Sequence, residues 1–269
     1  YNWYWLVDGL QEAGYRVHLA NPAAIKRYEG LKHSDDADDA AYLAQLLRLG
    51  LLPTGYICPS EKRAVRDLAR KRMQLVRSRT AHVLALENLF ARQTGTGITN
   101  RVAQQLSPKE LEAFGFAEDV TLAMRANVVV IQTLSREIEK LERRLRQCVR
   151  LRPEFGLLRS VPGIGEILAT LIMLEVGTIE RFAAVGNFAS YARCVDSTRL
   201  SNGKKKGRGN VKNGNAYLAW AFVEAANFAR RFCDEAKRFY EHKKARTNTA
   251  LATKALAHKL ARACYHMLK

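Results

Sequence analysis

Leu157-Leu158-Arg159-Ser160-Val161-Pro162-Gly163-Ile164-Gly165-Glu166-Ile167-Leu168-Ala169 sets an apolar-Pro-Gly-apolar-Gly turn between two apolar stretches of helical character. Proline and two glycines within four residues stop one helix and let the backbone double back into the next, so the segment reads as a helix-hairpin-helix. The N–H groups that open the second helix lack intrahelical partners and suit a phosphate oxygen. Gly163 and Gly165 are therefore candidates for contact with a nucleic-acid backbone, and a plain αα turn is the alternative.

The composition fits such a partner. The 269 residues carry 44 Lys+Arg against 26 Asp+Glu, a formal charge of +18 that exceeds what solubility requires and suits a polyanion. An apolar content of 48% is enough for two ordinary cores. No run of about 18 apolar residues occurs and no charged-then-apolar leader opens the chain, so a non-membrane, cytoplasmic protein is expected. The five cysteines are scattered without Cys-x-x-Cys spacing, which indicates reduced packing residues rather than a disulfide framework or a zinc site. The six histidines contain no His-x-x-x-His pair. Tyr1 opens the chain in mid-pattern without a methionine, as though an N-terminal piece were missing.

Beyond the turn, Phe182, Val185 and Phe188 to Ala192 continue helically. They lead into Arg199-Leu200-Ser201-Asn202-Gly203-Lys204-Lys205-Lys206-Gly207-Arg208-Gly209-Asn210-Val211-Lys212-Asn213-Gly214. Six cations, four glycines and no acid cannot bury a core, so this stretch reads as a loop facing phosphodiesters or as a solvated linker. Lys204, Lys205, Lys206, Arg208 and Lys212 supply charge, and Ser201 is a candidate nucleophile. Tyr217 to Ala229 then forms a strongly apolar helix, and Thr249 to Leu268 a final Ala/Leu-rich one.

Before the turn, Trp3, Leu6, Leu10 and Ala13 recur at helical spacing over residues 2–13. Tyr15, Val17 and Leu19 alternate as a strand over Tyr15 to Ala20. Helix then strand is half of an α/β unit. A short helical piece, Ala23 to Tyr28, precedes Ser34, which is placed to cap a helix from about Asp35 to Leu49. On that helix Asp36 and Asp39 fall within the arc of Ala40, Leu43 and Leu47, while Asp35 and Asp38 lie opposite. Two carboxylates on a packed face cost several kcal/mol unless a cation meets them, which makes them candidate Mg²⁺ ligands; dipole capping is the alternative.

A long helix from Ser60 to about Arg92 interleaves Val65, Leu68, Leu75, Val76, Val83, Leu86 and Phe90 with arginines. Among those, Arg63, Arg66 and Arg70 are candidates for phosphate contact. Thr94 to Asn100 reads as a loop and Ser107-Pro108-Lys109-Glu110 as a capping box. From Val120 to Leu151, Ile131, Leu134, Ile138, Leu141 and Leu145 make a heptad seam that can close within the monomer or between protomers. Self-association as a dimer or tetramer is expected from it. Arg152-Pro153 ends this helix. The expected architecture is an α/β N-terminal part with a long basic helix (1–95), a helical, coiled-coil-like linker (96–152), and a C-terminal domain with the helix-hairpin-helix and serine loop (153–269).

Four motifs in this order are similar to one known family. They are Lys32-His33-Ser34-Asp35-Asp36-Ala37-Asp38-Asp39-Ala40, Leu47 to Ile57, Val161-Pro162-Gly163-Ile164-Gly165, and Arg199 to Lys204 followed by Lys212 to Trp220. Together they resemble the DEDD-type insertion-sequence transposases, bacterial serine recombinases guided by a bridge RNA. The resemblance covers essentially the whole chain and implies a RuvC-like, RNase H-fold remnant with an incomplete sheet, followed by a transposase domain. It implies that Asp36 and Asp39 are the last two ligands of an Asp-Glu-Asp-Asp Mg²⁺ site, with Asp35 and Asp38 as alternates. It further implies Ser201 as catalytic nucleophile, with Ser197 as runner-up, and DNA, guide RNA and further copies of the chain as partners at the nucleoid. The family's first Asp and its Glu have no counterpart, so a front-truncated member with half a metal site is expected.

The reaction so implied is strand cleavage through a covalent phosphoserine and rejoining without ATP. Two other readings stay open. One is a metal-dependent junction nuclease in which Ser201 is incidental, the other a non-catalytic nucleic-acid-binding remnant.

Overall fold

The computed structural model describes residues 3–22, 24–25, 35–195, 198–208 and 213–269, with backbone alone for Thr198–Ser201, Lys205 and Arg208. The described residues are mostly helical: α1 (Tyr4–Glu12), α2 (Asp36–Arg48), α3 (Ser60–Thr94), α4 (Asn100–Gln105), α5 (Pro108–Glu112), α6 (Glu118–Val149), α7 (Pro153–Arg159), α8 (Glu166–Val176), α9 (Val185–Tyr191), α10 (Ala216–Phe232), α11 (Asp234–Arg246) and α12 (Thr249–Leu268). The one sheet among them is a hairpin of β1 (Thr198–Ser201) and β2 (Lys204–Arg208). Two compact units emerge, residues 64–160 with 164–174, and residues 1–63 with 161–163 and 175–269.

The first unit is built on α3 and α6. Met124, Ile131, Ile138 and Leu145, seven residues apart on α6, are all buried. Arg72 donates to Glu142 through Nε at 2.8 Å and Nη2 at 2.6 Å, Arg79 Nη1 to Ser135 Oγ at 3.1 Å, and His82 Nδ1 lies 3.0 Å from Asn127 Oδ1. Ascending positions on α3 meet descending positions on α6, so the two helices run antiparallel. The seam thus closes within the chain, and the ground it offered for self-association is removed.

At one end of this pair, α4 and α5 roof a cluster of Val83, Leu86, Phe90, Ala103, Leu106, Leu111, Met124, Val128 and Ile131. The capping box forms as expected: Ser107 N donates to Glu110 Oε2 at 2.8 Å and Glu110 N to Ser107 Oγ at 3.2 Å. Residues 95–99 are non-helical, in keeping with the loop expected at Thr94 to Asn100, and α4, for which the sequence reading named no element, follows. Thr99 caps it by accepting from Val102 N, and Ala103 is its buried residue.

The second unit gathers α9, α10, α11 and α12, with α12 packed on the other three. Alanines at 221, 225, 226 and 229 of α10 and at 252, 257 and 261 of α12 are fully buried, which lets the helices approach closely. Phe188, Phe222 and Tyr265 fill the space between them, with ring centroids 6.0 Å apart from Phe188 to each of the others. Arg181 lies over the rings of Tyr56, Phe182 and Tyr191 at 4.3, 4.1 and 4.4 Å, so a cation holds the connector before α3 to α9.

The expected strand at Tyr15 to Ala20 is corrected. It is extended chain with one isolated antiparallel bridge, Ala20 to Thr54, flanked by Asn21 N to Pro53 O at 2.8 Å and Gly55 N to Leu19 O at 2.7 Å. Its partner is the proline-bounded connector before α3, too irregular to continue a ladder, so an RNase H-like sheet is not formed by the described residues. The helical piece expected at Ala23 to Tyr28 and the Ser34 cap lie outside the described residues, save 24–25. The residue that caps α2 is Asp35, which accepts from Asp38 N at 2.9 Å.

Gly163 and Gly165 occupy different surroundings. Gly163 has φ +84°, and a Cβ there would stand 2.2 Å from Ala225 O and 2.6 Å from Ala229 N of α10, while nothing lies within 4 Å of a Cβ on Gly165. Gly163→Ala should cost about 2–4 kcal/mol in denaturant unfolding, and Gly165→Ala less than about 1 kcal/mol. Equal losses at the two sites would show that the close approach to α10 is not what selects glycine at 163.

Candidate functional site

The basic stretch expected as a loop is a β-hairpin over residues 198–208. Asn202 and Gly203 form its two-residue turn with φ 49° and 70°. Two successive left-handed residues make a type I′ turn, whose twist matches that of the strands and which favours Asn-Gly above other pairs. That dipeptide is the signal for the hairpin in the sequence, and reading the lysines and glycines as a phosphate-facing loop passed over it. Ser201 pairs with Lys204, Leu200 with Lys205, Arg199 with Gly207 and Thr198 with Arg208. The register shifts between Arg199 and Leu200, so Lys206 is the extra residue of a bulge and Gly207, at φ 141°, takes up the bend. Ser201 thus stands at the last paired position before the turn, and Lys204 and Lys206 are exposed. Ser197 and Lys212 lie outside the described residues.

A short turn joins α7 to α8, as any αα connection would. Its Gly163 backbone packs on α10, and Gly165 is exposed at the start of α8. Glu166, in the first turn of α8, accepts from Arg146 Nε at 3.0 Å and lies 3.8 Å from Arg159 Nη1. A carboxylate and two guanidinium groups therefore already sit at this helix start, and a phosphate would join the arginines there.

Two sets of sequence candidates are placed otherwise than the sequence suggested. Asp36 and Asp39 are exposed, α2 buries no residue, and its half-buried side is Tyr42, Leu43 and Leu46 rather than Ala40, Leu43 and Leu47. Which side of an amphipathic helix packs is set by its neighbour, and the arc drawn from α2 alone was displaced. Both carboxylates are hard oxygen donors one turn apart, which suits Mg²⁺ in kind. Among the described residues no third acid, histidine or cysteine joins them.

Arg63 and Arg66 of α3 likewise turn inward. Arg63 is 5% exposed, donates to both oxygens of Asp8 at 2.7 Å and to Cys58 O at 2.6 Å, and lies over the rings of Trp3 and Tyr4. Arg66 is 7% exposed and Arg70 half-buried. The density of arginine that pointed to phosphate reflects internal pairing for Arg63 and burial for Arg66, because a long aliphatic stem lets guanidinium groups serve inside a helical pair.

The base of the hairpin holds residues that sequence reasoning missed. Glu175, Tyr191, Arg193 and Asn215 meet there, with Asn215 capping α10 through Tyr217 N at 2.8 Å and Leu218 N at 3.0 Å. An asparagine directly before an apolar helical run is a cap signal legible in sequence. Beside them, burial pushes the thiols of Cys194 and Cys264 from 9.0 up to about 12.

With this geometry in view, comparison with known proteins is informative. Residues 1–92 match a transposase domain of the DEDD IS110 type, and residues 156–241 match the transposase IS116/IS110/IS902 family. The chain belongs to the IS110/IS116 family of insertion-sequence transposases. The second match spans the α7–α8 turn, the hairpin and most of α11. A Pseudomonas aeruginosa protein named as a family 20 transposase is 28% identical over 98% of this chain, which spans 80% of it. The transposase for insertion sequence element IS1111A of Coxiella burnetii is 24% identical over 84% of the chain, which spans 62% of that relative. Among the described residues no helix is long and apolar enough to cross a membrane.

The thiols yield a pH expectation. The unfolded chain releases their protons near pH 9 and the folded chain near 12, so the folded form binds more protons in between and stability falls as pH rises from about 9 to about 12. Below pH 9 the protonated thiols are at full effect. Alkylation by iodoacetamide at pH 8.5, followed by mass mapping, should leave Cys194 and Cys264 unmodified until the protein is unfolded, while partly exposed Cys148 and Cys233 react. Rapid labelling of Cys194 in the folded chain would overturn this.

Proposed function

We propose that the chain acts as a DNA recombinase in which Ser201 is the nucleophile. The observation that carries this is the place of Ser201 next to a type I′ turn, paired with Lys204 and followed by Lys205, Lys206 and Arg208, inside the family-matched segment. A serine hydroxyl at its ordinary pKa is a poor nucleophile, and clustered cations favour its alkoxide and steady the charge that grows on phosphorus.

In the reaction the Ser201 oxygen bonds to a backbone phosphorus, and the bond from phosphorus to the 3′-oxygen breaks. The hydroxyl proton passes to a base and the 3′-oxygen leaves as an alcohol after gaining a proton. The DNA 5′-phosphate is then a serine ester, which the 3′-hydroxyl of another strand attacks, returning the serine and conserving the phosphodiester energy. Lys204, Lys205, Lys206, Arg208 and Lys212 hold the phosphates on either side. Gly165 supplies backbone contact at the α7–α8 turn, while Gly163 serves α10.

Asp36 and Asp39 would hold Mg²⁺ together with a substrate phosphate, and the ion would supply Lewis-acid charge stabilisation. Base pairing by a bridge RNA selects the DNA, and further copies of the chain complete the assembly at the bacterial nucleoid. Arg70, half-buried on α3, is the remaining nucleic-acid contact of the three arginines first considered.

Purified protein mixed with Mg²⁺, the element's own DNA ends and the guide RNA should give a DNA–protein adduct on a denaturing gel. Ser201→Ala should remove it entirely. Cleavage that survives Ser201→Ala and needs Mg²⁺ would replace the reading with a metal-dependent nuclease. Salt-sensitive binding with neither adduct nor cleavage would replace it with a binding module.

A further inference from the structure

Among the described residues the two strands of the hairpin pack extensively only on each other, so its placement depends on the chain ends that lead into it and out of it. Those ends are joined by a compact set of hydrogen bonds. Arg193 donates through Nε to Asn213 O at 3.0 Å and through Nη2 to Gly214 O at 3.0 Å, reaching from the entering segment to the leaving one. Asn215 N donates to Tyr191 O at 2.6 Å, across the same gap.

Two backbone features are shaped to permit this closure. Arg193 holds φ +55°, a left-handed conformation uncommon for a residue with a long side chain. Gly214 holds φ +90°, and a Cβ there would stand 2.5 Å from Tyr191 O, so only glycine lets the two segments come this close. A non-glycine residue persists in the left-handed region only where its surroundings over-determine it, and the two carbonyl bonds of the guanidinium do so.

The base is in turn tied to the helical bundle through Asn215. Its side-chain oxygen caps α10, and its Nδ2 donates to Glu175 Oε2 at 2.7 Å and lies 3.4 Å from the Tyr191 hydroxyl. Glu175 is 3% exposed at the end of α8. One asparagine thus couples three things: the start of α10, the end of α8 and the exit of the hairpin. A buried carboxylate is costly unless hydrogen-bonded, and the Asn215 amide meets that need for Glu175.

We propose that Arg193 and the Glu175–Asn215 pair are positioning residues that aim the Ser201 hairpin, Arg193 by clamping its two ends together and the pair by fixing that clamp to α8 and α10. The proposal rests on the reading of Ser201 as nucleophile for its catalytic part, and on the base geometry alone for its anchoring part. Misplacement of a nucleophile by about 1 Å costs on the order of 100-fold in rate, so loss of the clamp should slow chemistry far more than it weakens DNA binding.

The test uses the whole chain with genetically encoded spin labels, independent of cysteine, at Lys206 on the hairpin and Val223 on α10. Distance distributions by double electron–electron resonance should be narrow for the parent and broad for Arg193→Ala and for Arg193→Gly, the latter permitting the left-handed backbone without the guanidinium. Arg193→Lys, with one ammonium for two carbonyls, should fall between. Glu175→Gln, which keeps the shape and a hydrogen-bonding partner, should stay close to the parent and Glu175→Ala should broaden. In single-turnover assays with Mg²⁺, DNA ends and guide RNA, Arg193→Gly should form the Ser201 adduct about 10–100-fold more slowly, with the DNA concentration for half-maximal rate nearly unchanged. Unchanged distance distributions in both Arg193 variants overturn the clamp. Broad distributions with parental adduct rates overturn the positioning role. No adduct from the parent overturns the nucleophile reading, and the distance arm then decides the anchoring by itself.

Discussion

Close backbone approach is the constraint on which the C-terminal bundle depends. The Val161–Gly163 turn lies directly against α10, where Ala225 O and Ala229 N leave no room for even a methyl group. The same economy of volume runs through the bundle, in the buried alanines of α10 and α12 and in Gly214 under Tyr191 O. Small residues bring the helix backbones together, and Phe188, Phe222 and Tyr265 fill what remains. The turn that looked built for phosphate is, at Gly163, built for a helix.

The unit of α3 and α6 follows another logic. Its seam carries apolar residues broken by polar pairs, Arg72 with Glu142, Arg79 with Ser135 and His82 with Asn127. Burial, and then the neighbouring Arg72, hold the Arg79 guanidinium below its ordinary pKa. Half-buried polar pairs contribute little net stability, and they penalise any sliding of one helix along the other because a shifted register would strand a charge. An antiparallel pair with such rungs has one favoured alignment, so Arg72 and Arg79 of α3 serve the fold.

Within its own unit the hairpin is a local structure. Its turn is dictated by two left-handed residues, its bulge by Gly207, and its attachment by Arg193 and Asn215. A cationic element that makes its own shape and is held at one base can approach a polyanion without disturbing a core.

Much of this was legible from residue order. Ser107 and Glu110 announced a capping box, Thr249 to Leu268 a terminal helix, the step of seven on α6 a seam, and the excess of cations a polyanionic partner. Asn202-Gly203 also announced its turn, although the surrounding lysines masked it. These features are set by near neighbours in the chain, through backbone sterics, hydrogen bonds within one turn and periodicity, and so the sequence by itself determined them. Only the tertiary structure decided that α3 fills the seam, that Arg63 turns to Asp8, that Asp36 and Asp39 are exposed, and that Arg193 joins the ends of the hairpin. Each of those depends on which distant segment arrives alongside. Burial and pairing are properties of that meeting, and no local pattern records it.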